Sequence, residues 1–210
     1  MIDYSRLSMP VGEAMFTQRS IRKFKPDPIP MDDVRLILEA AVKAPNGGNR
    51  QVGRFLVVHD RKKIHDEFGP LYREAWWAKR RDEGHTWTTR EQIPAEDKNH
   101  RGAAQLADEI KDAPLVIFAL AANNGPANSV IPACQNLMLA ARVLGIGSLP
   151  TTLHAQVMDR FRTMFHIPAD AAFHFCIPMG YPRGSFGPNV RKPIAETCFI
   201  GEWGAPVPWR

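Results

Sequence analysis

Cysteine is scarce in this 210-residue chain: Cys134, Cys176 and Cys198 are the three, and none forms a CxxC pair. Such a set builds no disulfide framework and fits a reducing, cytoplasmic setting. Long hydrophobic runs are missing as well. The longest, Leu115 to Ala122, falls far short of the roughly 20 residues a membrane helix needs, so no membrane span is expected and the run reads as a buried strand. The first residues, MIDYSRLSMP, show no basic flank followed by an apolar stretch, so no secretory signal is expected. Long runs of like charge are absent too, although Arg19, Arg22, Lys23 and Lys25 near the start and Arg191 with Lys192 near the end form two short basic clusters. The net charge is +5, yet the basic residues are spread along the chain without the aromatic and basic interleaving of an RNA-binding module. That leaves a solvated surface or a small anionic ligand, and nucleic acid is not expected as a partner. There is no HExxH, no Cys/His cluster at metal-ligand spacing, no GxSxG elbow and no Walker pattern, so no metal site is expected and serine hydrolysis has no support. His59 and His65 read as surface residues, and Cys134 as core.

What is present is ordinary for one globular domain over 1–210: 44% hydrophobic and 23% charged residues, without internal repeats. From Asp32 to Ala44, Val34, Ile37, Leu38, Ala41 and Val42 fall on one helical face between Pro30 and Pro45. A loop Asn46-Gly47-Gly48-Asn49 follows, then a short strand Phe55 to Val58. Residues from about Gly69 to Lys111 mix Tyr72, Trp76, Trp77 and Trp87 with many charges, and read as helical at both ends with an irregular middle. Leu115 to Leu120 is a strand. Ile131 to Leu144 is a helix apolar nearly all round and therefore buried. Phe173 to Ile177 is another strand, and a last short one is expected near Thr197 to Ile200. Helices and strands interleave, so the class is α/β (α+β) with a central sheet.

Gln18-Arg19-Ser20-Ile21-Arg22 offers two guanidiniums and a hydroxyl, a donor set suited to phosphate and planar carbonyl groups, or else a solvated basic turn. Ala44-Pro45-Asn46-Gly47-Gly48-Asn49-Arg50-Gln51 brings glycines that let backbone approach a flat ligand, or simply joins helix to strand. Gly145-Ile146-Gly147 lacks a third glycine and ends a helix instead of opening one, so a dinucleotide fingerprint is rejected. Taken in order with Gln135-Asn136-Leu137-Met138-Leu139-Ala140-Ala141, Gly180-Tyr181-Pro182 and Arg191-Lys192-Pro193, these segments resemble the nitroreductase family of FMN-dependent oxidoreductases.

The resemblance implies a central, mostly antiparallel sheet flanked by helices, in a homodimer whose C-terminal extension, Pro188 to Arg210, wraps the partner. It implies that Gln18, Arg19, Ser20 and Arg191 lie at the FMN phosphate and that Arg22 lies at the N1 and O2 edge of the ring. Pro45, Asn46, Gly47 and Asn49 would pack along the flavin, and Pro150, Thr151 and Thr152 would line its N5 side. Hydride would come from NADPH or NADH and pass to a small electrophile such as a nitroaromatic or quinone in ping-pong order. Residues 70–110 would cover the site. There Tyr72, Trp76 and Trp77 either stack on substrate or pack against the body of the protein.

Two departures stand out: Gln18 where the family tends to place Arg, and Val52-Gly53 where it tends to place Pro-Trp. The resemblance extends to reductive dehalogenases and flavin-modifying enzymes, and a non-catalytic flavin carrier is a further alternative.

Overall fold

The computed structural model describes residues 3–209. Met1, Ile2 and Arg210, the outermost residues of the expected domain and tail, lie outside the described residues. Four strands, β1 (Gly53–Val58), β2 (Leu115–Ala121), β3 (Gly147–Ser148) and β4 (Ala172–Gly180), form one antiparallel sheet in the order β1-β2-β4-β3. Every residue of β2 is buried, which is why this strand reads as a continuous apolar run without polar alternation.

Successive β2 side chains point to opposite faces. Leu115, Ile117, Ala119 and Ala121 join Ile177, Met179 and the apolar stripes of α2 (Met31–Val42) and α6 (Ile131–Val143). Val116, Phe118 and Leu120 face the other way, toward α4 (Gly69–Asp82), α5 (Lys98–Glu109) and α7 (Met158–Phe165). On that face the Phe118 ring meets Phe68 at 5.0 Å and Phe161 at 4.8 Å, both edge-on, an arrangement that aromatic quadrupoles favour. The sheet is thus covered by helices on both faces. No helix among the described residues is long and apolar enough to cross a membrane.

Several elements differ from the sequence reading. A short helix α1 (Val11–Thr17) precedes the basic segment, and its apolar Val11, Met15 and Phe16 are exposed. A helical run starts at α3 (Arg61–Lys63), where Asp60 accepts the Lys62 and Lys63 amides, and continues through a wide π turn over Ile64–Phe68 into α4. Gly69 is required at that junction, because a methyl group there would stand 2.4 Å from Lys111 Cβ. The 70–110 stretch is helical at both ends, α4 and α5, and mostly irregular between them. β4 runs on to Gly180. The strand expected near Thr197 to Ile200 is not formed: Phe199 makes one isolated bridge to Pro206, and residues 190–197 are exposed, without the neighbouring strand that a ladder needs.

Candidate functional site

The basic segment is clamped along the sheet edge. Ser20 bridges Ser148 of β3 in parallel, and the Ile21 amide donates to the Ser148 carbonyl at 3.2 Å. Gly147 permits this approach: a methyl group on it would stand 2.8 Å from Ile21 Cβ. Burial of Ile21 on one side leaves Ser20 exposed and Arg22 half-buried. The Arg22 stem passes Gly102 of α5, where a methyl group would lie 4.0 Å from Arg22 Cδ. Arg22 also lines a charged cavity of about 230 Å³ with Phe24, Glu109, Asp112 and Arg183. Among the described residues, neither Arg19 nor Arg22 forms an ion pair.

The turn after β3 closes on the same place. Thr151 exchanges two main-chain hydrogen bonds with Cys176 of β4, at 2.8 and 2.7 Å, which holds Pro150, Thr151 and Thr152 beside the sheet edge. Thr151 Oγ1 meets the Tyr72 hydroxyl at 2.8 Å. Burial pushes the Tyr72 phenol well above its usual range, while the Thr151 bond and the nearby Arg22 charge oppose that shift.

The tail arrives from the other side. The Asn189 amide nitrogen Nδ2 donates to the Gln18 carbonyl at 2.6 Å and its backbone N–H donates to Phe16 at 3.1 Å, so Arg191 emerges next to the basic segment, exposed to solvent. Gln18, the departure from the family pattern, turns its side chain to Met138 Sδ at 3.8 Å. Arg142, near the end of α6, ties these parts together: Nε donates to Thr17 Oγ1 at 2.8 Å, and its guanidinium lies 4.2 Å from the Phe186 ring centroid. Sequence reasoning passed over Arg142, although a lone cation in an otherwise apolar helix was the available signal.

The glycine loop lies elsewhere. The Gly47 amide donates to Ser129 Oγ at 3.2 Å, just before α6 begins, and Asn46 Oδ1 accepts the Gln51 amide at 2.8 Å. Gly48, Asn49 and Gln51 take positive φ, near 59°, 52° and 52°, a region that costs little only for Gly and Asn. Pro45 and Asn49 are exposed beside it. Gly53, the second departure, begins β1, and a methyl group there would meet nothing within 4 Å. From Ile131 to Arg142 the α6 rise is about 17 Å. In one chain the segment from Thr17 to Arg22 thus meets the C-terminal half of α6 and the sheet edge that holds the Thr151 turn, whereas the loop Pro45 to Asn49 meets the start of α6.

Tyr72, Trp76 and Trp77 are all buried on α4. The two indoles pack edge-on at 4.6 Å, and the Arg80 guanidinium lies 5.2 Å from the Trp76 ring centroid. In this chain they belong to the core layer. Cys134 is buried on α6, and desolvation pushes its thiol up to about 12, as a core residue should behave.

The model of the Nitroreductase family matches residues 16–181. The chain belongs to that family. This nitroreductase-family chain is 29% identical over 202 residues to the NADH dehydrogenase of Thermus thermophilus, covering 88% of this chain and 92% of the relative. It is 26% identical over 167 residues to the iodotyrosine deiodinase of Thermotoga neapolitana, covering 79% and 84%. Its fold matches the crystal structure of a nitroreductase with bound FMN from Bacteroides fragilis with a TM-score of 0.68 at 23% identity, over 91% of this chain and 98% of the other. The central antiparallel sheet flanked by helices is the fold that the sequence resemblance implied.

Proposed function

We propose that this chain binds FMN and passes reducing equivalents from NADH or NADPH to a small electrophilic acceptor such as a nitroaromatic or quinone. The observation that carries this reading is the pair Arg19 and Arg22, held on one segment at the sheet edge with no acidic partner for either among the described residues. Two unpaired guanidiniums beside a hydroxyl fit a ligand with a phosphate at one end and an acceptor-rich ring at the other. Arg19, Ser20 and Arg191 would hold the phosphate, with the Gln18 amide beside them. Arg22 would place positive charge at the N1 and O2 edge, where negative charge accumulates on reduction. Pro150, Thr151 and Thr152 would line the N5 side. The bound cofactor supplies hydride acceptance and donation, and the protein supplies binding, orientation and charge. Donor and acceptor would use one place in turn, so parallel double-reciprocal lines are expected. An absorbance spectrum of the purified protein under nitrogen tests the reading. Flavin bands that bleach with NADPH or NADH support it, and a colourless protein that takes up no FMN refutes it.

The same geometry supports a homodimer. The loop Pro45 to Asn49 meets the start of α6 and the segment before Arg19 meets Arg142 near its end, about 17 Å along the helix, so a partner chain related by a two-fold axis would bring its own loop to this flavin. Val11, Met15 and Phe16 of α1 and Ile194, Ile200 and Trp203 of the tail expose apolar surface of the kind that marks interfaces. The covering segment 70–110 would then close the site, and the free thiols Cys134, Cys176 and Cys198 suit a cytoplasmic setting.

The similarity to the Thermotoga iodotyrosine deiodinase favours a second reading, reductive dehalogenation at the same flavin. Halide release from a halophenol during NADPH oxidation would favour it. Turnover of nitroaromatics and quinones without halide release favours the first.

A further inference from the structure

Where α4 ends and α5 begins, Glu83, His85 and His100 bring one ligand atom each to within 4.8 Å of the others. We propose that these three residues hold a divalent transition-metal ion, zinc being the best match, and that the ion staples the covering segment. Each ligand is held by a different neighbour. His100 Nδ1 meets Asp97 Oδ2 at 2.5 Å, which leaves Nε2 as the ligand atom. Asp97 is fixed in turn, because Oδ1 also accepts the His100 amide at 3.0 Å as the α5 N-cap. A carboxylate behind a ligating imidazole is the usual second support of a metal site, fixing ring orientation and raising ligand basicity. The His85 ring lies flat on Trp87, 4.0 Å away at an interplanar angle of 14°. Glu83 Oε1 accepts from Arg80 at 2.8 Å, which leaves Oε2 free to ligate. Gly84, with φ near 86°, makes the turn that lets Glu83 and His85 reach one point.

Two imidazoles and one carboxylate suit zinc and its neighbours in the transition series. Calcium and magnesium prefer oxygen-only sets. Three protein ligands leave one position open to water, and bonds of about 2 Å would draw the ligand atoms to roughly 3.3 Å apart. Closure by up to about 1.5 Å would tighten residues 83–100 around the ion. The Arg80 cation beside Glu83 opposes a second positive charge, so micromolar affinity is expected. The histidines are distant in sequence and joined only by the fold, which explains why no motif marks them. Metal binding by these three residues does not depend on the flavin reading, whereas the covering role of the stapled segment rests on it.

Calorimetric titration of the chelator-treated, full-length protein with zinc chloride is the test, with cobalt chloride absorption reporting coordination. One ion per chain is expected, with tetrahedral cobalt bands. His85→Ala and His100→Ala should each weaken binding at least about tenfold, and Asp97→Asn by about tenfold, while circular dichroism stays unchanged and His65→Ala binds as wild type does. Zinc binding of equal strength in His85→Ala and His100→Ala, loss of binding in His65→Ala, or no binding tighter than millimolar in the wild type would each overturn the proposal.

Discussion

The hydroxyl of Tyr72 on α4 and Oγ1 of Thr151 in the turn after β3 lie 2.8 Å apart, so one hydrogen bond joins α4 to the sheet-edge turn. Tyr72 is almost fully buried, and desolvation keeps its phenol neutral throughout the working pH range. Tyr72→Phe should therefore lose one buried hydrogen bond at nearly constant volume, costing about 1 kcal/mol. In a chain of this size that lowers Tm by about 2–4 °C. Differential scanning calorimetry checks the loss, and an unchanged Tm would mean the bond contributes nothing to stability.

Gly147→Ala addresses the clamp itself. The added methyl group would meet Ile21 Cβ at 2.8 Å, closer than van der Waals contact allows. Overpacking of this kind typically costs about 1–3 kcal/mol, and here the yielding element is the segment that carries Arg19 and Arg22. FMN affinity should fall together with stability, measured by fluorescence titration and urea unfolding. Lost stability with unchanged FMN affinity would detach the segment from the flavin.

How much of this could be read beforehand depends on where each residue finds its partner. Val34, Ile37 and Ala41 of α2 and the run Leu115 to Ala121 were legible because their apolar patterns face a core inside the same chain. α1 was not, because Val11, Met15 and Phe16 face away from that core. β3 was hidden for another reason: Gly147 and Ser148 have no strand pattern and become one only by pairing with Met179 and Gly180. α7 ends at His166 with φ near 51°, where a glycine would have signalled the stop. In the candidate site, Arg19, Arg22 and Arg191 were marked by their chemistry, whereas Arg142 and Asn189 act through contacts to Thr17 and Gln18 that spacing does not encode.

Arg22 and Arg191 are expected to separate two roles. Arg22→Ala should slow flavin reduction by NADPH about tenfold to a hundredfold, the range of one lost charge-assisted hydrogen bond, with a smaller change in FMN affinity. Arg191→Ala should do the reverse if, as proposed, it holds the phosphate. Stopped-flow reduction and FMN titration on both variants check this. Equal loss of FMN with normal reduction after reloading would remove the distinction.

The buried thiols give a pH prediction. Desolvation pushes Cys134 up to about 12 and Cys176 well above its ordinary value. Both therefore stay protonated in the folded protein at pH 8, and a protonated thiol is a poor nucleophile. Their contribution to stability is fully present below the unfolded thiol value near 8.5 and is lost as pH rises through the folded values. In a Cys198→Ser background, no thiol should react with a disulfide reagent at pH 8 until guanidinium is added, when two should. Rapid labelling of the native protein would contradict the packing around α6 and β4.

Phe16 and Trp203 are the most exposed aromatic residues of α1 and the tail, at 75% and 91%. If a second copy of the chain covers them, Phe16→Glu places an unpaired charge in that interface, which is among the costliest changes an apolar contact can suffer. Sedimentation velocity at micromolar concentration should then show monomer where the wild type shows dimer. The separation of Pro45 to Asn49 from the Arg19 segment adds a second expectation: if the other chain supplies the loop that completes each site, the monomeric variant should lose FMN. A monomer that keeps FMN would mean that one chain builds the whole site. A variant that remains dimeric would place the interface away from α1.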